Sequence, residues 1–249
     1  MPHTLLASAL DTPSSPAAGK PSRANATCGT VLTMQPIAPS HDSVPMMFAT
    51  WMTGSRAAAA AAIDAAGAEG LDLVPALAAL YQYFDAHRQR ADPGFGELDD
   101  LLRSDSTTTV DLDHPLVRGQ VRRLYVLQRE LQRQCLSATL LALPVGRRAA
   151  FILIGILDVS LEHATAIMGS PHAASVALSR GERQLETYLE SRCEHMDPDN
   201  LCHCSTRLGI ALERHFVDWP EDNTLPGAPL VGQRRKMVRD LFATLPPPA

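Results

Sequence analysis

The chain is poor in aromatic residues and contains no long apolar run. Phe, Trp and Tyr make up 5% of its 249 residues, whereas alanine and leucine, which favour helix over strand, are abundant. The longest apolar run, 149–157, is far shorter than the ~20 residues that a membrane-spanning helix needs. The sequence therefore predicts an all-α protein without a transmembrane segment.

Several features of common protein classes are also absent from the sequence. The net charge is −5, so the chain lacks the basic balance of proteins that coat nucleic acid. It contains no Gly-rich phosphate loop, no Gly-x-Ser-x-Gly and no His-Glu-x-x-His. No basic stretch precedes the brief apolar segment from Leu5 to Leu10, as a secretory signal would require. We therefore expect a cytoplasmic protein that is not an enzyme.

Changes in composition predict five segments along the chain. Residues 1–45, rich in Pro, Ser, Ala and Thr without a sustained period, are expected to form a disordered arm. Residues 46–112 are predicted to form a helical N-terminal segment of unknown role. A small helical bundle is predicted over 113–192, followed by a Cys- and His-containing extension over 193–216. Residues 217–249 are predicted to form a linker and a basic tail helix.

Two amphipathic helices leave their outer faces open to interpretation. Four arginines form a stripe along the helix that ends near Leu141: Arg118, Arg122, Arg129 and Arg133. This stripe is either a solvated face of the helix or a docking surface. The tail helix places Met237, Val238, Leu241 and Phe242 on one face. It either packs back on the main domain or captures a partner protein.

The segment between Leu143 and Leu189 has the spacing of a helix-turn-helix. Ser160 is a suitable N-cap for one helix, and Gly169 ends that helix because glycine adopts the left-handed conformation without strain. Ser170 can cap the next helix, with Pro171 at its first position. Apolar residues recur at helical spacing between these signals. The pattern predicts two helices joined by a tight turn.

These residues resemble the C-terminal helix-turn-helix of bacterial RNA polymerase sigma factors of the extracytoplasmic-function type. The resemblance covers roughly residues 116 to 212, and the segment from Arg192 to Cys204 is similar to a Cys-containing tail that follows this domain in some members. The polymerase-binding N-terminal domain of the family is not recognisable. The residues that carry the resemblance are Leu143, Pro144, Arg148, Ala149, Ala150, Phe151, Val159, Ser160, Leu161, Ala164, Ile167, Met168, Gly169, Ser170, Pro171, Leu178, Arg180, Leu185, Tyr188 and Leu189.

The resemblance implies a transcription protein that binds promoter DNA, the RNA polymerase core, or both. Carried over residue by residue, it places Arg147 and Arg148 near the DNA backbone. The positions that it places against DNA on the second helix are Ser170, His172, Ala173, Ser175, Val176, Ala177 and Arg180.

This chain departs from the family in the charge of its DNA-reading helix. Members usually carry Lys and Arg where this chain has Ser175, Ala177, Glu182 and Gln184. Between Ser170 and Glu190, two arginines stand against three glutamates. Because neutralisation of phosphates supplies most non-specific DNA affinity, we expect weak and strongly salt-dependent binding. The alternative is a protein-interaction module that regulates transcription without binding DNA.

The five cysteines include a close-spaced trio, Cys193, Cys202 and Cys204, with His195 beside the first. Thiolate and imidazole suit tetrahedral zinc, and these four residues are the predicted metal ligands. The spacing is not that of a standard zinc finger, so redox-active thiols and a plain structural loop remain open. A zinc- or thiol-dependent sensor is therefore a further alternative function.

Overall fold

The computed structural model of the chain describes residues 43–87, 95–96, 99, 121–213, 216–217, 237–243, 245 and 247–248. Within these ranges the regular structure is helical, apart from one isolated bridge between Cys193 and Cys202. The predicted all-α class is therefore confirmed. No helix in the described ranges combines the length and the apolar character needed to span a membrane. The predicted disordered arm lies outside the described residues up to position 42.

The helices follow one another along the chain with short connections in the second half. The bounds are α1 Val44–Thr53, α2 Arg56–Ala65, α3 Leu73–Ala86, α4 Val121–Leu141, α5 Val145–Ala150, α6 Leu161–Met168, α7 Pro171–Glu190, α8 Cys204–Glu213 and α9 Arg239–Phe242. A π-helical turn, Phe151–Ile156, continues α5. Its six residues include three that are fully buried: Phe151, Ile152 and Leu153.

Helix α1 begins within the segment that was predicted to be a disordered arm. The Ser43 hydroxyl caps it by accepting a hydrogen bond from the Met46 backbone N–H at 3.4 Å, and Pro45 lies in its first turn. Phe48 and Trp51 are almost fully buried, with 0% and 2% exposed surface. Helix α1 therefore begins at Val44, two residues before position 46, where the helical N-terminal segment was predicted to start.

One apolar core joins helices from both sides of the boundary predicted between residues 112 and 113. Helices α1 and α3 contribute Phe48, Trp51, Leu77 and Leu80 to it. The helices that follow residue 120 contribute Leu136, Leu140, Leu143, Phe151, Ile152, Leu153, Ile167, Leu185 and Leu189. The N-terminal helices are thus part of the same body as the helices that follow residue 120.

The predicted turn between α6 and α7 is confirmed in its details. Ser160 caps α6 by accepting from the His163 N–H at 3.2 Å, and Ser170 caps α7 by accepting from the Ala173 N–H at 3.4 Å. Gly169 has a φ of 83°, and its N–H donates to the Thr165 carbonyl at 2.8 Å. Two residues therefore suffice to connect α6 to α7.

The arginine stripe on α4 is not a surface feature where the structure describes it. Arg129 and Arg133 are only 3% and 7% exposed. Arg133 forms an ion pair with Glu130 and donates to the Pro247 carbonyl at 2.8 Å. For these two residues, a solvated face and a docking surface are both wrong, because both side chains are buried within the protein and Arg133 also contacts Pro247. Arg118 and the side chain of Arg122 lie outside the described residues.

The C-terminal helix α9 packs back on the bundle. The Phe242 ring meets the Trp51 ring edge to face at 6.0 Å between centroids, and the Phe151 ring at 5.1 Å. Val238 and Leu241 are also buried, whereas Met237 is 45% exposed. Of the two interpretations of the tail, packing on the main body is the one observed.

Candidate DNA-binding groove and thiol cluster

An open groove of about 400 Å³ lies between the start of α5 and the first half of α7. The two helices approach closely at Gly181, where an added Cβ would lie 3.2 Å from the Arg147 carbonyl oxygen. The Arg147 side chain is held beside α7, because its Nη1 donates to Gln184 Oε1 at 2.6 Å. The groove is lined by Pro144, Gly146, Arg147, His172, Ala173, Val176, Ala177 and Arg180.

Six of the nine residues predicted to contact DNA line this groove. They are Arg147, His172, Ala173, Val176, Ala177 and Arg180. Ser175 is exposed on α7 but outside the groove lining, and the Ser170 hydroxyl serves as the N-cap of α7. The resemblance therefore selected residues of α5 and α7 that line the same groove.

Arg148, the ninth predicted residue, is directed into the protein. Its guanidinium donates to the carbonyls of Met52 at 2.9 Å, Leu141 at 2.5 Å and Leu143 at 2.9 Å. Burial lowers its pKa to about 10, so it still carries its charge at neutral pH. Arg148 thus ties α1 to the junction of α4 and α5, and its predicted place near the DNA backbone is not the one observed.

The charges of α7 are distributed unevenly along the helix. Its three glutamates, Glu182, Glu186 and Glu190, all follow Arg180 in the sequence. Glu182 is moreover paired with Arg239 of α9. The residues that line the groove include Arg147 and Arg180 but no carboxylate. The count of two arginines against three glutamates over the whole helix therefore overstates the negative charge near the groove.

A second cluster of polar residues follows α7, in a loop held by its own backbone. The Cys193 N–H continues the helical pattern by donating to the Leu189 carbonyl at 2.8 Å. Residues Cys193 and Cys202 then pair in a parallel bridge. The Asn200 side chain closes the loop by donating to the Glu190 carbonyl at 2.8 Å and to the Cys193 carbonyl at 3.1 Å.

Three possible metal ligands meet inside this loop. His195 Nε2 lies 3.3 Å from Cys204 Sγ and 3.9 Å from Glu194 Oε1. Among the described residues, Glu194, His195 and Cys204 form the one group of three or more ligand atoms that all lie within 4.8 Å of one another. Of the four predicted ligands, the structure thus groups His195 and Cys204, and Cys193 and Cys202 lie outside that group. Glu194 was missed, although it adjoins His195.

Glu194 also organises the start of α8. Its Oε1 accepts from the Cys204 N–H at 2.6 Å, and its Oε2 lies 2.9 Å from His203 Nδ1. Burial alone would raise its pKa, but the hydrogen bonds from Cys204 and His203 outweigh burial and leave the pKa below its usual value. The carboxylate is therefore ionised at neutral pH and accepts hydrogen bonds from both neighbours.

The four described cysteines are free thiols: Cys135, Cys193, Cys202 and Cys204. Burial raises the pKa of Cys193 to about 11, and it also raises the pKa of the other three. Because the thiolate is the form that attacks disulfides and oxidants, such thiols are poor redox centres at neutral pH. A bound cation would reverse this, since metal ions favour the thiolate. The raised pKa values thus argue against redox-active thiols in the metal-free chain.

Comparisons with known proteins identify no relative: no protein-family model, curated protein or solved structure gives a significant match to this chain.

Proposed function

We propose that this chain is a sigma-factor-like transcription protein that binds promoter DNA through the groove between α5 and α7, together with the RNA polymerase core. One observation carries the proposal. Six of the residues that the resemblance places against DNA line one open groove, with an arginine from each of the two helices and no carboxylate.

The residues that line the groove are suited to weak binding of duplex DNA. Arg147 and Arg180 can neutralise phosphates, and the N-terminus of the 20-residue helix α7 presents the positive end of a helix dipole. Ala173, Val176 and Ala177 offer small apolar surfaces of the kind that contact thymine methyl groups. With two arginines, the groove supplies few phosphate contacts, so weak and salt-sensitive binding is expected.

Charge reversal at two arginines of α7 tests the proposal. Arg180 lines the groove, whereas Arg183 is also exposed, three residues later on α7, and lies outside the lining. We expect Arg180→Glu in the full chain to weaken binding to a labelled duplex at low salt and to reduce the log–log salt slope by about one. Arg183→Glu, the matched control, should have a smaller effect on both quantities.

Equal effects of the two substitutions would locate the contact elsewhere on α7. Co-purification of the tagged chain from its host, scored for polymerase subunits and bound DNA, supplies the second half of the test. Recovery of polymerase is expected. Recovery of a single non-polymerase protein, without DNA, would support the alternative of a regulatory protein-interaction module.

A second proposed activity is zinc binding by the loop that follows α7. It is favoured by the distance of 3.3 Å between His195 Nε2 and Cys204 Sγ and by the position of Glu194 beside both side chains. Elemental analysis of chain purified without chelator is expected to find one zinc ion per chain. Chain that contains no metal and takes up none from added zinc would end this proposal.

A further inference from the structure

We propose that a zinc-class metal ion in the loop after α7 is bound by three protein ligands, Glu194, His195 and Cys204, with water as the fourth ligand. This inference rests on the zinc binding proposed above, and it deepens that proposal by assigning the ligands and the class of the site. It leaves Cys193 and Cys202, two of the four ligands predicted from the sequence, outside the coordination sphere.

The ligand atoms already have nearly the spacing that a tetrahedral ion requires. His195 Nε2 lies 3.3 Å from Cys204 Sγ and 3.9 Å from Glu194 Oε1. With zinc–ligand bonds of about 2.0–2.3 Å, tetrahedral angles place a nitrogen roughly 3.6 Å from a sulfur and roughly 3.4 Å from an oxygen. Changes of about 0.5 Å or less in these two distances therefore admit the ion.

Backbone hydrogen bonds hold the three ligands together. The Glu194 N–H donates to the Cys202 carbonyl at 3.3 Å, and the Cys202 N–H donates to the Arg192 carbonyl at 3.3 Å. These bonds join the two ends of the loop, so Glu194 and His195 lie beside Cys204 at the start of α8. The Cys204 N–H donates to Glu194 Oε1 at 2.6 Å, which places the carboxylate next to the thiol.

Cys193 and Cys202 have a different role in the loop. They pair directly opposite each other in the parallel bridge, and Cys193 packs against the main apolar core. Among the described residues, the group of ligand atoms within 4.8 Å of one another consists of Glu194, His195 and Cys204. Because a free cysteine commonly acts as a small apolar residue, we assign the two bridge cysteines to the structure of the loop.

The fourth ligand follows from the size of this group. It has three members among the described residues, whereas zinc in a tetrahedral site takes four ligands. Water therefore completes the tetrahedron. Three protein ligands and one exchangeable position distinguish such a site from the closed, purely structural sites that four protein side chains form.

The charges of this ligand set suit a buried site. The side chains of His195 and Glu194 are 2% and 13% exposed, so a net charge there would carry a large desolvation cost. The Glu194 carboxylate and the Cys204 thiolate balance the two positive charges of the ion, and His195 binds as neutral imidazole. Binding forms one bond each to oxygen, nitrogen and sulfur, and the Cys204 thiol proton passes to solvent.

A hydrogen bond from α4 selects the form of His195 that binds a metal. Gln132 Nε2 lies 3.1 Å from His195 Nε2. Because an amide nitrogen only donates, His195 Nε2 accepts, and the ring proton is on Nδ1. This tautomer keeps the lone pair on Nε2, the atom that lies beside Cys204 and Glu194. When the ion takes that lone pair, the Gln132 amide is left next to the metal, where its oxygen can accept a hydrogen bond from the bound water.

The zinc affinity of the full chain, measured by competition with a chromophoric chelator, tests the ligand set. Glu194→Gln keeps an oxygen that accepts from the Cys204 N–H but removes the negative charge that the ion requires. We expect it to weaken zinc binding by more than about 100-fold, the upper end of what loss of an outer-shell partner costs. Cys193→Ser and Cys202→Ser are the matched controls and should bind zinc as the parent chain does.

The outcomes separate this inference from the zinc binding on which it rests. Absence of zinc binding in the parent chain would overturn both. Undiminished binding in Glu194→Gln, or loss of binding in a folded Cys193→Ser or Cys202→Ser chain, would overturn the ligand set and leave zinc binding in place. Circular dichroism of each metal-free variant shows whether its helices are retained.

Cobalt(II) in place of zinc tests the same ligand set in the parent chain, without any substitution. Cobalt–thiolate bonds give a near-ultraviolet absorbance that grows with each thiolate bound. The expected intensity corresponds to one such bond, from Cys204, and an intensity corresponding to none or to two or more would overturn the inference. Added azide should replace the water and change the visible bands of the cobalt form, whereas an unchanged spectrum would contradict an exchangeable fourth position.

Discussion

Arg239 of the C-terminal helix forms an ion pair with Glu182 of α7. Both side chains are partly exposed, at 38% and 20%, so the pair itself stabilises the fold by at most about 1 kcal/mol. Its main effect is positional. It fixes α9 against the half of α7 that lies beyond the groove, and it removes one free carboxylate from the helix that we propose contacts DNA.

The aromatic anchor of α9 should contribute far more to stability than this ion pair. Phe242 is 1% exposed and contacts both Trp51 and Phe151. We expect Phe242→Ala to lower the free energy of unfolding by about 3–5 kcal/mol, because it leaves a cavity in the core. Met237→Ala, at an exposed position on the same segment, should change it by less than about 0.5 kcal/mol. Urea denaturation measures both, and similar values would contradict the observed packing.

Neighbouring arginines on α5 should separate stability from DNA binding. Arg148→Met leaves three carbonyl groups without their donor, so we expect a loss of about 3 kcal/mol or more in the free energy of unfolding. Arg148→Lys should not restore it, since an ammonium group lacks the planar fork of a guanidinium. Arg147→Met should cost about 1 kcal/mol and weaken DNA binding. Urea denaturation and duplex titration of the three variants measure stability and DNA binding. A large loss of stability in Arg147→Met, with weaker DNA binding in Arg148→Met instead, would contradict the prediction.

Added positive charge on α7 should strengthen DNA binding. Ser175 is exposed and Ala177 lines the groove, so Ser175→Lys combined with Ala177→Arg adds two cations without disturbing the core. Each new phosphate contact should steepen the log–log salt dependence by about one unit. Duplex titrations over a range of salt concentrations measure the effect. If the parent chain already binds a promoter tightly at physiological salt, the expectation of weak binding is wrong.

The turn between α6 and α7 should be sensitive to backbone conformation at one residue. Gly169 has a φ of 83° and no neighbouring atom within 4 Å of an added Cβ. Gly169→Ala should therefore destabilise the fold by about 1 kcal/mol through backbone strain alone. Gly169→Asn should cost less, because asparagine tolerates this conformation. The melting temperatures of the two variants distinguish backbone strain from a steric clash. If a clash were the cause, Gly169→Asn would lower the melting temperature more than Gly169→Ala.

Local sequence signals predicted the helix class and the α6 to α7 turn, because capping depends on residues within one turn of each other. Ser160, Gly169 and Ser170 all have the predicted roles. The helical segment predicted from residue 46 contains most of α1, but the start signal of this helix, Ser43 and Pro45, lies in the segment assigned to the arm. That segment was assigned from its composition and its lack of a sustained period. The burial of Phe48 and Trp51 depends instead on contacts with distant helices.

Long-range contacts account for the remaining errors. Arg133 has the spacing of a surface residue, but its partner Pro247 lies 114 residues later in the chain. Arg148 likewise contacts the Met52 carbonyl 96 residues earlier. No periodicity along a single helix encodes such contacts.

The position of Phe242 also bears on how the chain is made. Synthesis proceeds from the N-terminus, and Trp51 of α1 leaves the ribosome long before Phe242 of α9 is translated. The aromatic contact that Phe242 completes between Trp51 and Phe151 must therefore wait until Phe242 itself has emerged. Until then, these two rings lack one of their packing partners, so a chain stalled before Phe242 exposes apolar surface of the kind that chaperones and proteases recognise.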